Sequence, residues 1–194
     1  MKKRVFIIHG WGGVPDVDWY SWLKRELENL GYEVQSPSMP NTMRPTIEEW
    51  VSKIKEIVGE VDKDMYFVGH SMGCQAIMRY LERLPEEVIV KGVVFVAGWF
   101  NLTDETWDED YLPEIAKPWI DTPIDFSKVK KHAKRFVAVY SDNDPYVPVS
   151  DSKLFKERLG AEVILEKNKG HITGGDDNVT ELPIVLEKIL EMSK

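Results

Sequence analysis

A chain of 194 residues, 43% hydrophobic and 30% charged, can bury a substantial core as one domain spanning 1–194, and this composition excludes a disordered or fibrous protein. The formal net charge of −8 argues against a nucleic-acid partner, and no apolar run approaches the ~18 residues of a membrane span. The single cysteine, Cys74, excludes an intrachain disulfide and a cysteine metal cluster, and the four histidines lack zinc-site spacing.

The opening "MKKRVFIIHG" continues into "WGGVPDVDWY" without a small-residue cleavage site. Residues 5–9 therefore read as a strand covered on both faces, and a cytoplasmic location is expected. "DWYSWLKRELENLG" has helical periodicity through Trp19, Leu23, Leu27 and Leu30 and stops at Gly31. "YEVQSP" is a short second strand. "TIEEWVSKIKEIV" opens with a capping-box pattern, Thr46 to Glu49, and carries the stripe Ile47, Val51, Ile54 and Val58. Residues 65–68 form a third strand and 72–84 a helix. "GVVFVA" is a fourth strand, 135–140 a fifth, 150–159 a helix, "AEVILE" a sixth strand, and 180–192 the last helix. Strands alternating with helices predict an α/β fold of about six parallel strands with helices on both faces.

Residues 99–128 break this rhythm. The stretch contains Pro113, Pro118 and Pro123, and up to residue 125 it holds Asp104, Glu105, Asp108, Glu109, Asp110, Glu114, Asp121 and Asp125 against Lys117 alone. Trp99, Trp107, Tyr111 and Trp119 argue against disorder, so the stretch is expected to be an ordered excursion over the sheet edge.

Gly69-His70-Ser71-Met72-Gly73 fits G-x-S-x-G between a strand and a helix, the context that gives this motif meaning. A sharp turn there crowds its flanks, which explains the glycines, and lifts the serine hydroxyl to the carboxyl edge of the sheet, where ligands bind in such folds. Serine is a weak nucleophile and needs a base, which in turn needs an orienting group. "SDNDPYVP" follows the fifth strand and "NKGHITGG" the sixth, so both loops lie on the same edge as Ser71. His171 is the candidate base. His70 is read as pointing off the turn, and His132 as part of a basic surface run. Asp144, seated by Pro145, is favoured over Asp142 as the orienting acid. The backbone N–H groups of Met72 and of Trp11 in "HGWGG" are the candidate oxyanion donors, with Gly12 left open as the second.

The motifs "VFIIHGWGG", "YFVGHSMG", "YSDNDPYVP" and "KGHITGG" resemble, in this order, those of the α/β-hydrolases, and specifically the compact serine hydrolases akin to retinoblastoma-binding protein nine. The resemblance extends over nearly the whole chain and is weakest at 99–128. It implies a compact α/β-hydrolase sheet without the antiparallel strands of larger members, and a triad of Ser71, Asp144 and His171.

The expected activity is acyl transfer to water from a small ester, thioester or amide, with no cofactor or metal required. Trp99, Trp107 and Trp119 are expected to wall the pocket for an apolar acyl or aryl group. The neighbouring acids would disfavour anionic substrates. Other readings are a non-catalytic protein-interaction module on the same fold and an acyltransferase using another acceptor.

Overall fold

The computed structural model describes residues 2–107 and 110–194; Asp108 and Glu109 of the acidic run lie outside the described residues. Six strands form one parallel sheet: β1 Arg4–Ile8, β2 Glu33–Gln35, β3 Met65–His70, β4 Gly92–Val96, β5 Phe136–Ser141 and β6 Glu162–Glu166, in the order β2-β1-β3-β4-β5-β6. The order reverses between β1 and β3, and the loops leaving their carboxyl ends part there to leave a crevice. The four inner strands, β1, β3, β4 and β5, carry continuous apolar runs of the sequence. All six residues of β3 and all five of β4 are buried.

Among the described residues, seven helices cover the sheet: α1 Asp18–Asn29, α2 Ile47–Val58, α3 Met72–Leu81, α4 Pro113–Asp121, α5 Phe126–Lys131, α6 Asp151–Leu159 and α7 Pro183–Met192. Alternate strand residues feed two cores. Val5, Ile7, Val68, Val94 and Val96 meet Trp19, Leu23 and Leu27 of α1 and Val185 and Ile189 of α7. Phe6, Ile8, Phe67 and Phe95 meet Trp50 and Ile54 of α2, Ile77 and Leu81 of α3 and Phe155 of α6. Burying one such side chain contributes roughly 1.5–3 kcal/mol. The expected cap of α2 is present: Thr46 Oγ1 accepts from the Glu49 N–H and donates to its carboxylate.

Two helix ends differ from the periodicity. α3 stops at Leu81 rather than 84, and α7 starts at Pro183 rather than 180. Pro183 sits in the first turn of α7, where its missing N–H has no helical partner to lose.

The described part of the excursion docks on a face of the fold rather than only at the sheet edge. It forms a 3-10 turn, Asp104–Thr106, then α4 and α5. Trp119 of α4 packs edge-on to Trp50 with ring centroids 5.9 Å apart, and its indole N–H donates to the Pro45 carbonyl at 3.0 Å. Arg79 of α3 donates to the carbonyls of Trp119 and Thr122, both at 2.8 Å, so a buried guanidinium ties the end of α4 to the centre of the molecule.

Candidate active site

Ser71 stands between β3 and α3 at φ 50°, ψ −116°. This is a sparsely populated region for any residue with a Cβ, costing about 1–3 kcal/mol. Tight neighbours keep it there. The Ser71 N–H donates to the Val96 carbonyl at the end of β4, and the Ser71 carbonyl accepts from Cys74 N–H. Both flanking glycines are required by space. A Cβ on Gly69 would stand 2.8 Å from the Cys74 amide nitrogen, and one on Gly73 would overlap the Ile8 and His9 carbonyl oxygens. The elbow therefore forms because α3 is pressed against β1 by residues without side chains.

The His171 imidazole and the Asp144 carboxylate meet at Nδ1···Oδ2 2.8 Å, the carboxylate almost wholly buried at 1% exposure. The other Asp144 oxygen accepts from the Tyr146 and Val147 N–H groups at 2.9 and 3.0 Å. The carboxylate is thus held in place, with Oδ2 left for the imidazole. Asp142 faces elsewhere and accepts the Asn168 N–H at 2.8 Å. Ser141 Oγ accepts from Lys169 N–H and Asn143 Oδ1 from Gly170 N–H, both at 2.9 Å. Four successive side chains of "SDND" thus address four successive residues, 168–171, of the histidine loop. Sequence reasoning singled out only the aspartates. The signal lay in the run itself, since each of the four side chains can accept a hydrogen bond.

The loop after β1 is braced by His9, whose Nδ1 lies 2.8 Å from the Gly10 carbonyl and whose Nε2 accepts the Met39 N–H at 3.1 Å. A carbonyl only accepts, so Nδ1 carries the proton. Burial lowers the His9 pKa and keeps the ring neutral. Gly12 N–H is committed to the Thr42 carbonyl at 2.9 Å, whereas among the described residues Trp11 N–H and Met72 N–H, at the start of α3, have no such acceptor. His132 is not on the surface as expected: it is buried, its Nδ1 donating to the Val88 carbonyl at 2.7 Å. His70 does not point off the turn but inward, between Tyr20 and the histidine loop.

These loops enclose a cleft of about 300 Å³ lined by Gly10, Trp11, Gly12, Gly13, Tyr20, His70, Ser71, Trp99, Leu102, Thr106, Tyr111, Tyr146, His171, Thr173, Gly175 and Asp176. Ser71 and His171 share it; Asp144 stands behind His171. Rings dominate the walls. Trp11 meets Tyr111 edge-on at 5.2 Å, and Tyr146 meets His171 at 5.2 Å. Among the described residues no lysine or arginine lines the cleft, and Asp176 is the one carboxylate that does.

Of the three tryptophans expected at the pocket, only Trp99 is there. Trp107 is not part of the lining, and Trp119 belongs to the core under α4. Tyr20, Tyr111 and Tyr146 supply the aromatic surface instead. Tyrosine in a helix (Tyr20), after a proline (Tyr146) or in an acidic loop (Tyr111) carries no pattern that separates a cleft wall from a core residue. Trp119→Ala should consequently destabilise the protein by about 3–5 kcal/mol, as for other buried aromatic truncations, read by urea unfolding. A variant within 1 kcal/mol of the parent (about a fivefold change in equilibrium constant) would show that Trp119 is not a core residue.

Among the described residues no group of three or more His, Cys, Asp or Glu side chains is placed to hold a metal ion, and no helix is long and apolar enough to cross a membrane. Comparison with known proteins agrees with the geometry. The serine hydrolase family model matches residues 5–190. The YdeN protein of Bacillus subtilis (strain 168) is 30% identical over 189 residues, 96% of this chain and 94% of that protein. The serine hydrolase RBBP9 of Rattus norvegicus is 26% identical over 164 residues, 84% of this chain and 82% of its own. The crystal structure of the B. subtilis ydeN gene product superposes with a TM-score of 0.90 at 28% identity, covering all of both chains. Est1E from Butyrivibrio proteoclasticus shares the fold, with a TM-score of 0.75 at 20% identity over 99% of this chain and 87% of that one. Because the family match runs from β1 into α7, it takes in the elbow, the acid loop and the histidine loop together, and the chain belongs to the serine hydrolase family.

Proposed function

We propose that the protein hydrolyses small esters, thioesters or amides with an apolar acyl or aryl group, through an acyl-enzyme on Ser71. The observation that carries this reading is the Asp144–His171 hydrogen bond at 2.8 Å beside a serine held at φ 50° in the same cleft. With Nδ1–H given to Asp144, the neutral imidazole keeps Nε2 as its basic lone pair. Ser71 Oγ attacks the substrate carbonyl as its proton passes to His171 Nε2. The tetrahedral oxyanion is stabilised by the N–H groups of Met72 and Trp11, which have no backbone acceptor among the described residues. Collapse breaks the bond to the leaving group, which takes the proton from His171. Water then gives a proton to His171, attacks the acyl carbon, and the return of that proton frees Ser71. Transfer to another acceptor would use the same first half-reaction.

The test is covalent labelling of the intact protein by an alkyl fluorophosphonate, with the adduct located by mass spectrometry. One adduct, on the peptide containing Ser71, is expected. A protein that stays unlabelled at millimolar probe for hours, or that is labelled on another serine, would overturn the proposal.

A further inference from the structure

The histidine loop is held on two sides, and only one of them is the acid loop. On the other, the carbonyl of His171 lies 2.8 Å from His70 Nε2, and the carbonyl of Ile172 accepts from Trp19 Nε1 at 3.0 Å. Ile172 is at φ 59°, a conformation that a β-branched residue does not keep unaided. The position of the base therefore depends on donors reaching these two carbonyls.

We propose that His70, the residue before the nucleophile, is a positioning residue for the base: its Nε2–H anchors the His171 carbonyl, and Tyr20 acts through it by fixing the tautomer. This rests on the reading of His171 as the base. A carbonyl oxygen can only accept, so His70 Nε2 must carry the proton. A neutral ring then has an acceptor at Nδ1, and the Tyr20 hydroxyl 2.7 Å away donates to it. The ring stays neutral because burial, with His171 next to it, pushes its pKa down to about 3. Neutrality matters for the chemistry. The two imidazoles are 5.0 Å apart between centroids, and His171 must become a cation when it takes the Ser71 proton. A charged neighbour would oppose that step, whereas a neutral donor holds the loop without that cost. One side chain thus sets the distance between the elbow that carries Ser71 and the loop that carries its base.

The test compares His70→Leu, His70→Gln, Tyr20→Phe and the double variant Tyr20→Phe/His70→Leu with the parent. It reads the fluorophosphonate labelling rate and kcat and KM for a p-nitrophenyl ester. His70→Leu should lower the labelling rate and kcat by about 10–100-fold with KM nearly unchanged. His70→Gln, whose amide N–H reaches the same carbonyl, should recover most of that loss. Tyr20→Phe should lower kcat by a few-fold alone and add nothing in the Leu background. The far-downfield proton resonance of His171 Nδ1–H should broaden in His70→Leu and sharpen again in His70→Gln. If the Leu variant does not fold, His70→Gln and Tyr20→Phe still carry the comparison. Parental rates in His70→Leu would overturn the positioning role. So would a Tyr20→Phe loss equal in both backgrounds, because Tyr20 would then be touching substrate directly. A parent protein that never labels overturns the base assignment itself, and the positioning role with it.

Discussion

Ser71→Ala should lower kcat for a p-nitrophenyl ester by about 10⁶ while leaving the thermal midpoint unchanged within a few degrees, because the hydroxyl contributes to chemistry and little to the fold. Backbone bonds hold the elbow, from Ser71 N–H to Val96 and from Cys74 N–H to Ser71, together with the space left by Gly69 and Gly73. None of these involves Oγ, so an alanine occupies the same strained turn. His171→Ala should cost a comparable factor, and the double variant no more than either single one. A nucleophile and base that act as one unit give such non-additive losses, and the residual rate would then come from the amides proposed as oxyanion donors, Met72 and Trp11, and from binding. Steady-state rates with stopped-flow bursts for the parent measure this directly. If Ser71→Ala kept more than a tenth of the parental kcat, the nucleophile would have to be sought elsewhere.

The backbone of this fold was legible because its central strands are buried on both faces. A run such as "VFII" or "GVVFV" has no other comfortable place. The candidate site residues were legible for a related reason: parallel strands send all their following loops to one edge, so Ser71, Asp144 and His171 are expected on the same edge of the sheet. The excursion was less readable. α4 carries Pro118 inside it, and α5 is only six residues long, so neither reads as an uninterrupted helix in the sequence. Trp119 and Trp99 look alike in sequence and are equally buried in one core, yet Trp119 is tied to Arg79 and Pro45 there while Trp99 also borders the cleft. His132 illustrates the converse. It sits within "KVKKHAKR" but turns inward to the Val88 carbonyl, because α5 has just one turn and a half in which to bury a face. Local composition describes the exposed side of such a short element and says nothing of the residue that anchors it.

The choice between the two aspartates has a sharper consequence than either assignment alone. Asp144→Asn should lower kcat by about 10⁴, whereas Asp142→Asn should stay within about threefold of the parent. At position 144, one oxygen is committed to the N–H groups of Tyr146 and Val147. An asparagine must keep its carbonyl oxygen there, since the alternative points an NH₂ group at two N–H donors. Its NH₂ then faces His171 Nδ1, which has to accept. The imidazole is driven to the tautomer with the proton on Nε2, and that nitrogen can no longer take a proton from Ser71. The fold should tolerate this change, because size and most hydrogen bonds are kept. Position 142 is different. Its task is to accept the Asn168 N–H, and an asparagine carbonyl performs it equally well at the exposed rim of the loop. Fluorophosphonate labelling rates of the two variants, with a melting curve for each, separate the cases. Equal losses at both positions would mean that loop charge, not the imidazole tautomer, controls the base. A larger loss at Asp142 would reverse the assignment.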